Sequence, residues 1–91
     1  MRKDEAVVGT RVRSLANFSG VPLGTEGVID EQYGGMDLAG EEVGGVMIAW
    51  DLPDQPLPEG YRAWDGRSAI ASGILRDGFS WDELHFLEVV K

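Results

Sequence analysis

The segment VMIAWDL, Val46 to Leu52, followed at once by Pro53, limits what this chain can become. Successive side chains of an extended strand point to opposite faces. Val46, Ile48 and Trp50 therefore share one face, and Met47, Ala49 and Asp51 the other. Pro53 ends the strand, because proline has no amide hydrogen to give to a ladder. The same two-residue period returns along the chain. Gly9 to Leu15 sets Val12 against Arg11 and Arg13, and Thr25 to Tyr33 sets Thr25, Gly27 and Ile29 against Glu26, Val28 and Asp30. His85 to Val90 places Leu87 and Val89 together. Nothing sustains a helical period beyond a single turn.

Thirteen glycines punctuate these segments. GVPLGTEGVIDE, Gly20 to Glu31, reads as the end of a loop followed by a kinked strand. A phosphate cradle would need a nearby lysine or arginine, and the segment has none. Ala16 to Gly24 is a loop whose Phe18 and Val21 fold back onto the core. Asp30 to Gly45 reads as a long acidic loop hinged at Gly34-Gly35 and Gly44-Gly45. Pro53 to Gly60 carries prolines that keep it out of a central strand. Ala69 to Ile74 reads as a short helix or a strand, and Ile74 and Leu75 lead into a strand at Arg76 to Ser80. Ser80 caps one helical turn, WDEL, with Asp82 and Glu83 at its acid-favouring start. The expected organisation is a flexible arm over residues 1–8 and one all-β domain over residues 9–91. That domain has five short strands, one helical turn before the last strand, and a long insertion before the fourth.

Ninety-one residues make one small domain with a modest core. No cysteine is present, which removes disulfides, thiolate metal sites and cysteine nucleophiles. No apolar run reaches the roughly 18–20 residues of a membrane span, and the start lacks a signal-peptide core. The expected location is cytoplasmic. The net charge is −8, and no lysine or arginine occurs from Ser14 to Tyr61, a span holding nine acids. Such a surface repels a phosphate backbone, so direct nucleic-acid binding is not expected.

The order of elements resembles the small SH3-like β-barrels. G-x-R-V-R at Gly9–Arg13, G-T-x-G-x-I at Gly24–Ile29 and V-x-I-x-W at Val46–Trp50 resemble their first three strands. The ending from Phe79 to Val90 resembles their closing turn and strand. The stromal SH3-like subunit of photosystem I and other barrel subunits of electron-transfer complexes share this layout. The resemblance implies a five-stranded SH3-like barrel that works as an accessory subunit. Barrels that dock acidic electron carriers present lysine and arginine, and this chain is acidic. A fainter similarity to CAP-Gly domains lacks their signature, the nearest stretch being Leu75 to Gly78.

The paired carboxylates Asp30/Glu31, Glu41/Glu42 and Asp82/Glu83 read as solvated surface rather than as acid–base pairs, and the single histidine, His85, as an edge residue. Neither catalysis nor a metal or other cofactor is expected. The expected activity is binding of a protein partner or a second copy. Tyr61, Arg62 and Trp64 in the insertion form the expected contact surface, with Asp37, Glu41 and Glu42 beside them. Trp81 and Tyr33 are candidates for a groove, although packing of Trp81 on the barrel end and of Tyr61 and Trp64 on the core are the plainer readings. Alternative functions are an acidic decoy of DNA that inhibits a nucleic-acid-binding protein, and a small enzyme.

Overall fold

In the computed structural model, β1 (Arg11–Ser14), β2 (Glu26–Met36), β3 (Glu42–Trp50), β4 (Arg76–Ser80) and β5 (Leu87–Val89) form one antiparallel sheet. The structure describes residues 1–67 and 73–91, so most of the Ala69 to Ile74 segment lies outside the described residues. The strand order is β4-β3-β2-β1-β5. β4 and β5 are the two edges and do not pair, so the sheet is open. A 3₁₀ turn, Trp81–Phe86, carries the chain from one edge to the other. Among the described residues no helix is long and apolar enough to cross a membrane.

Strand alternation builds the core as the sequence implies. Val12, Ile29, Val46, Ile48 and Trp50 face inward and are fully buried, joined by Phe79, Leu84 and Leu87. The loop before β2 does fold back. Val21 is fully buried, and the Phe18 ring packs edge-on to Phe79 at 5.3 Å and to Phe86 at 5.8 Å between centroids. Trp50 donates its indole N–H to Asp77 at 2.8 Å, which satisfies the one polar atom of a buried ring. Buried Ser14 fastens the turn before β2, donating to the Pro22 carbonyl at 2.9 Å and accepting from the Thr25 amide at 3.1 Å.

The opposite face of the sheet is also covered. Val28 and Ala49 are buried yet stand outside the main core. They sit side by side in the register Arg11↔Val28↔Ala49↔Arg76. Leu57 to Tyr61, in the connection between β3 and β4, line a cleft with Val28 on this face.

Three expectations change. Asp30 to Gly45 is not a loop: β2 runs on to Met36 and β3 begins at Glu42, paired continuously from Glu31↔Met47 to Met36↔Glu42. Four glycines in that ribbon hide it, because a glycine strand carries no side-chain alternation. Its tip closes through Asp37, whose Oδ1 accepts from the Ala39 and Glu41 amides at 2.9 Å each. The helical turn runs to Phe86, which shortens the last strand to Leu87–Val89. Residues 1–8, read as an arm, include a 3₁₀ turn at Lys3–Glu5 and a fully buried Ala6. The Met1 amine there donates to the Leu84 and Leu87 carbonyls at 3.2 and 2.9 Å.

Close backbone approach separates the ribbon glycines. A Cβ at Gly45 would overlap the Phe79 carbonyl oxygen across the β3–β4 pair, whereas one at Gly35 meets nothing within 4 Å. Gly45→Ala is therefore expected to cost about 2–3 kcal/mol through forced strand separation. Gly35→Ala should leave stability within about 0.5 kcal/mol. Urea unfolding of the two variants checks the contrast.

Candidate functional site

Two regions gather the residues singled out above, and they differ in what holds them. The first is centred on Asp30, at the register shift between Ile29 and Glu31 in β2. Its carboxylate is fully buried. Arg76, the first residue of β4, reaches across Ala49 and grips it with two bonds, Nε to Oδ2 at 2.8 Å and Nη2 to Oδ1 at 2.9 Å. The same Nη2 donates to Glu31 Oε1 at 3.0 Å. Tyr61 donates its hydroxyl to Asp30 Oδ2 at 2.7 Å, and the Trp64 amide donates to the Asp30 carbonyl at 3.2 Å. The Trp64 ring lies over the Arg76 guanidinium, 3.7 Å from ring centroid to guanidinium carbon. Planar stacking of this kind is a property of arginine rather than lysine.

This cluster shifts two titrations. Burial, and then the hydrogen bond to Asp30, push the Tyr61 hydroxyl well above its ordinary pKa. For Arg76, burial opposes the charge, but the bonds to Asp30 and Glu31 outweigh it and raise the pKa.

Tyr61 and Trp64 are thus tied into the protein's own structure, holding the insertion onto the outer face of the sheet. Arg62, between them in sequence, is exposed. It lines an open cleft of about 620 Å³ with Thr10, Arg11, Val28 and Leu57. The cleft walls carry both signs of charge, including Glu59 and Asp51.

The second region is the β2–β3 ribbon beyond Glu31. Gln32 to Gly40 is exposed throughout. Leu38 at the tip is wholly exposed and Met36 is 73% exposed, with Tyr33 and Val43 also open. Tyr33, Asp37, Glu41 and Glu42 all belong to this ribbon. Trp81 is half-buried at its base, in a shallow groove with Lys3, Gln32, Met36 and Glu42. Lys3 pairs with Glu42 and stands 4.8 Å from the Trp81 ring centroid. The Trp81 indole nitrogen is buried with no hydrogen-bond partner among the described residues.

The structure therefore parts Tyr61, Arg62 and Trp64 from the acidic residues that the sequence reading set beside them. The pair Asp30/Glu31, read from the sequence as solvated surface, is so only at Glu31, since the Asp30 carboxylate is buried beneath Arg76. Arg76, Met36, Leu38 and Val43 were not singled out in the sequence. An acid directly after core Ile29, and a lone leucine between Asp37 and Ala39-Gly40, are the only signals these positions leave. Among the described residues no group of three metal-ligating side chains converges. Comparison with protein-family models, curated proteins and solved structures found no match to the chain.

Arg76→Ala leaves a buried unpaired carboxylate and is expected to cost about 3–5 kcal/mol. Tyr61→Phe is expected to cost about 1–2 kcal/mol. Urea unfolding should show their double variant losing less than the sum, because both act on Asp30. The Tyr61 shift also fixes a pH dependence. Unfolded Tyr61 loses its proton near the ordinary value of 10.0, while the folded protein keeps it. The native state then binds more protons, so stability falls as pH rises above about 10. Tyr61→Phe should flatten that fall.

Proposed function

We propose that this chain is a non-enzymatic protein-binding module on an SH3-like barrel, acting as an accessory piece of a larger assembly. The fold part of the reading is supported by the strand order β4-β3-β2-β1-β5 with a 3₁₀ turn before the last strand. That is the layout of the barrels the sequence resembles. Fold alone says little about function, which must come from a site.

One observation carries the binding part. The ribbon exposes Met36 and Leu38 at its tip and, on the face opposite Met36, Tyr33 and Val43. Single exposed apolar residues are ordinary, but a cluster on one element marks a contact surface. Hydrating such surface is unfavourable by about 25 cal/mol per Å², and a covering partner recovers that energy. The insertion is the weaker candidate, because Tyr61 and Trp64 already spend their polar and ring contacts on Asp30 and Arg76.

The test is capture of tagged protein with its bound partners from a lysate of its source, at low and high salt. Met36→Ser/Leu38→Ser is compared with wild type. The expected result is one partner retained at both salts by wild type and lost by the double variant, whose unfolding midpoint stays close to wild type. A partner held equally by the variant would place the contact elsewhere. A basic nucleic-acid-binding partner released at high salt would instead favour the decoy function.

A further inference from the structure

We propose that the outer edge of β2, from Gln32 to Met36, receives an extended basic segment of a partner protein as an added strand. This deepens the protein-binding reading and rests on it. The backbone of this edge is unpaired among the described residues because β1 leaves early, and at its start the Gln32 side chain donates to the Ala6 carbonyl at 3.1 Å. The last bonds on the β1 side are Gly9 N–H to the Ile29 carbonyl at 2.8 Å and Ile29 N–H to the Thr10 carbonyl at 2.9 Å. Beyond them β2 pairs only with β3 among the described residues.

The direction of the free backbone groups follows from the hairpin. Asp37 donates its amide to the Glu41 carbonyl at 2.9 Å, so residues 37 and 41 form a bonded pair. Bonded and non-bonded pairs alternate along an antiparallel ladder. Gly35↔Val43 and Tyr33↔Gly45 are then bonded, and the amide and carbonyl groups of Gln32, Gly34 and Met36 point outward. Free edges in soluble proteins are usually guarded by lysine, proline or a bulge. From Gln32 to Met36 the strand itself carries no lysine, proline or register shift, the shift lying before it between Ile29 and Glu31, and Gly34-Gly35 leaves the backbone bare to an approaching strand.

Charge selects the occupant. Every ionisable side chain from Glu31 to Glu42, the tyrosine apart, is acidic; Glu31 and Glu42 already meet Arg76 and Lys3, while Asp37 and Glu41 have no ion-pair partner among the described residues. A second copy adding antiparallel about Gly34 would set Glu31 opposite Asp37, and like charges directly opposite are destabilising. A strand carrying lysine or arginine meets the opposite situation, and finds Met36 and Leu38 beside it for its apolar residues. Backbone bonds supply the attachment in this mode of recognition, and side chains its selectivity.

The test titrates nitrogen-15-labelled full chain with a seven-residue peptide of alternating lysine and valine. Two controls are the same peptide with glutamate for lysine, and the lysine peptide N-methylated along one edge. The expected result is amide shifts at Gln32, Gly34 and Met36, with the lysine peptide bound at least about tenfold tighter than the glutamate peptide at low salt. Added salt should narrow that gap. N-methylation of the pairing edge should abolish binding. Gly34→Pro, which removes one outward amide and none of the β3 bonds, should do the same while keeping the native spectrum elsewhere. Equal binding of both peptides, shifts confined to other residues, or indifference to N-methylation overturns the proposal. Shifts at these amides on concentrating the chain alone would name a second copy as occupant and overturn it too. Loss of the lysate partner by Met36→Ser/Leu38→Ser, with no peptide response, leaves protein binding standing and removes strand addition.

Discussion

Asp30 is a carboxylate with no exposed surface, and an isolated buried charge of that kind is untenable. The fork of Arg76 resolves it, and the resolution organises half the molecule. To reach Asp30 from β4, the arginine must cross β3, and it crosses at Ala49, where the side chain is small enough to let it pass. Once there, its flat upper face receives the Trp64 ring, and the second Asp30 oxygen receives Tyr61. One ion pair thus joins two non-adjacent strands and the insertion. It explains why Val28 and Ala49, on the face away from the core, are buried at all.

The same residue marks where the sheet changes character. Up to Ile29, β2 is flanked on both sides and its inward side chains are core. At Asp30 the register shifts, and beyond it the strand pairs only with β3 among the described residues. Bulges commonly sit where a strand bends or pairing ends. Here the shift divides β2 into an anchored half and a projecting half. The anchored half gives the ribbon a rigid base, tied further by Lys3 to Glu42. The projecting half has few buried contacts of its own, so its apolar and backbone groups remain available to another molecule. Rigid support for an exposed recognition element is the general condition for a precise binding surface.

The alternating segments around Val12, Ile29, Ile48 and Leu87 were legible in the sequence because burial on one face writes a two-residue period directly. The ribbon was not, since Gly34, Gly35, Gly44 and Gly45 give no period and read as hinges. Its pairing is instead set by the Asp37 turn and by continuation of the flanking strands. The aromatic cluster at Tyr61 and Trp64 was visible, but its partner was not. A bond between residues 31 and 46 positions apart leaves no local trace. Of the surface residues, Tyr33, Asp37, Glu41 and Glu42 stand out by type alone, while nothing in the sequence around Met36 and Leu38 marks them as exposed.

The insertion is fastened to the sheet at Tyr61 and Trp64, while the ribbon edge stands open. Residue-resolved amide hydrogen exchange on the free protein tests both halves at once. The Trp64 amide, bonded to the Asp30 carbonyl, should exchange slowly, as should Tyr33 and Gly35. Gln32, Gly34 and Met36 should exchange quickly, giving an alternating pattern along one strand. Fast exchange at Trp64, or uniform protection from Gln32 to Met36, would contradict the account.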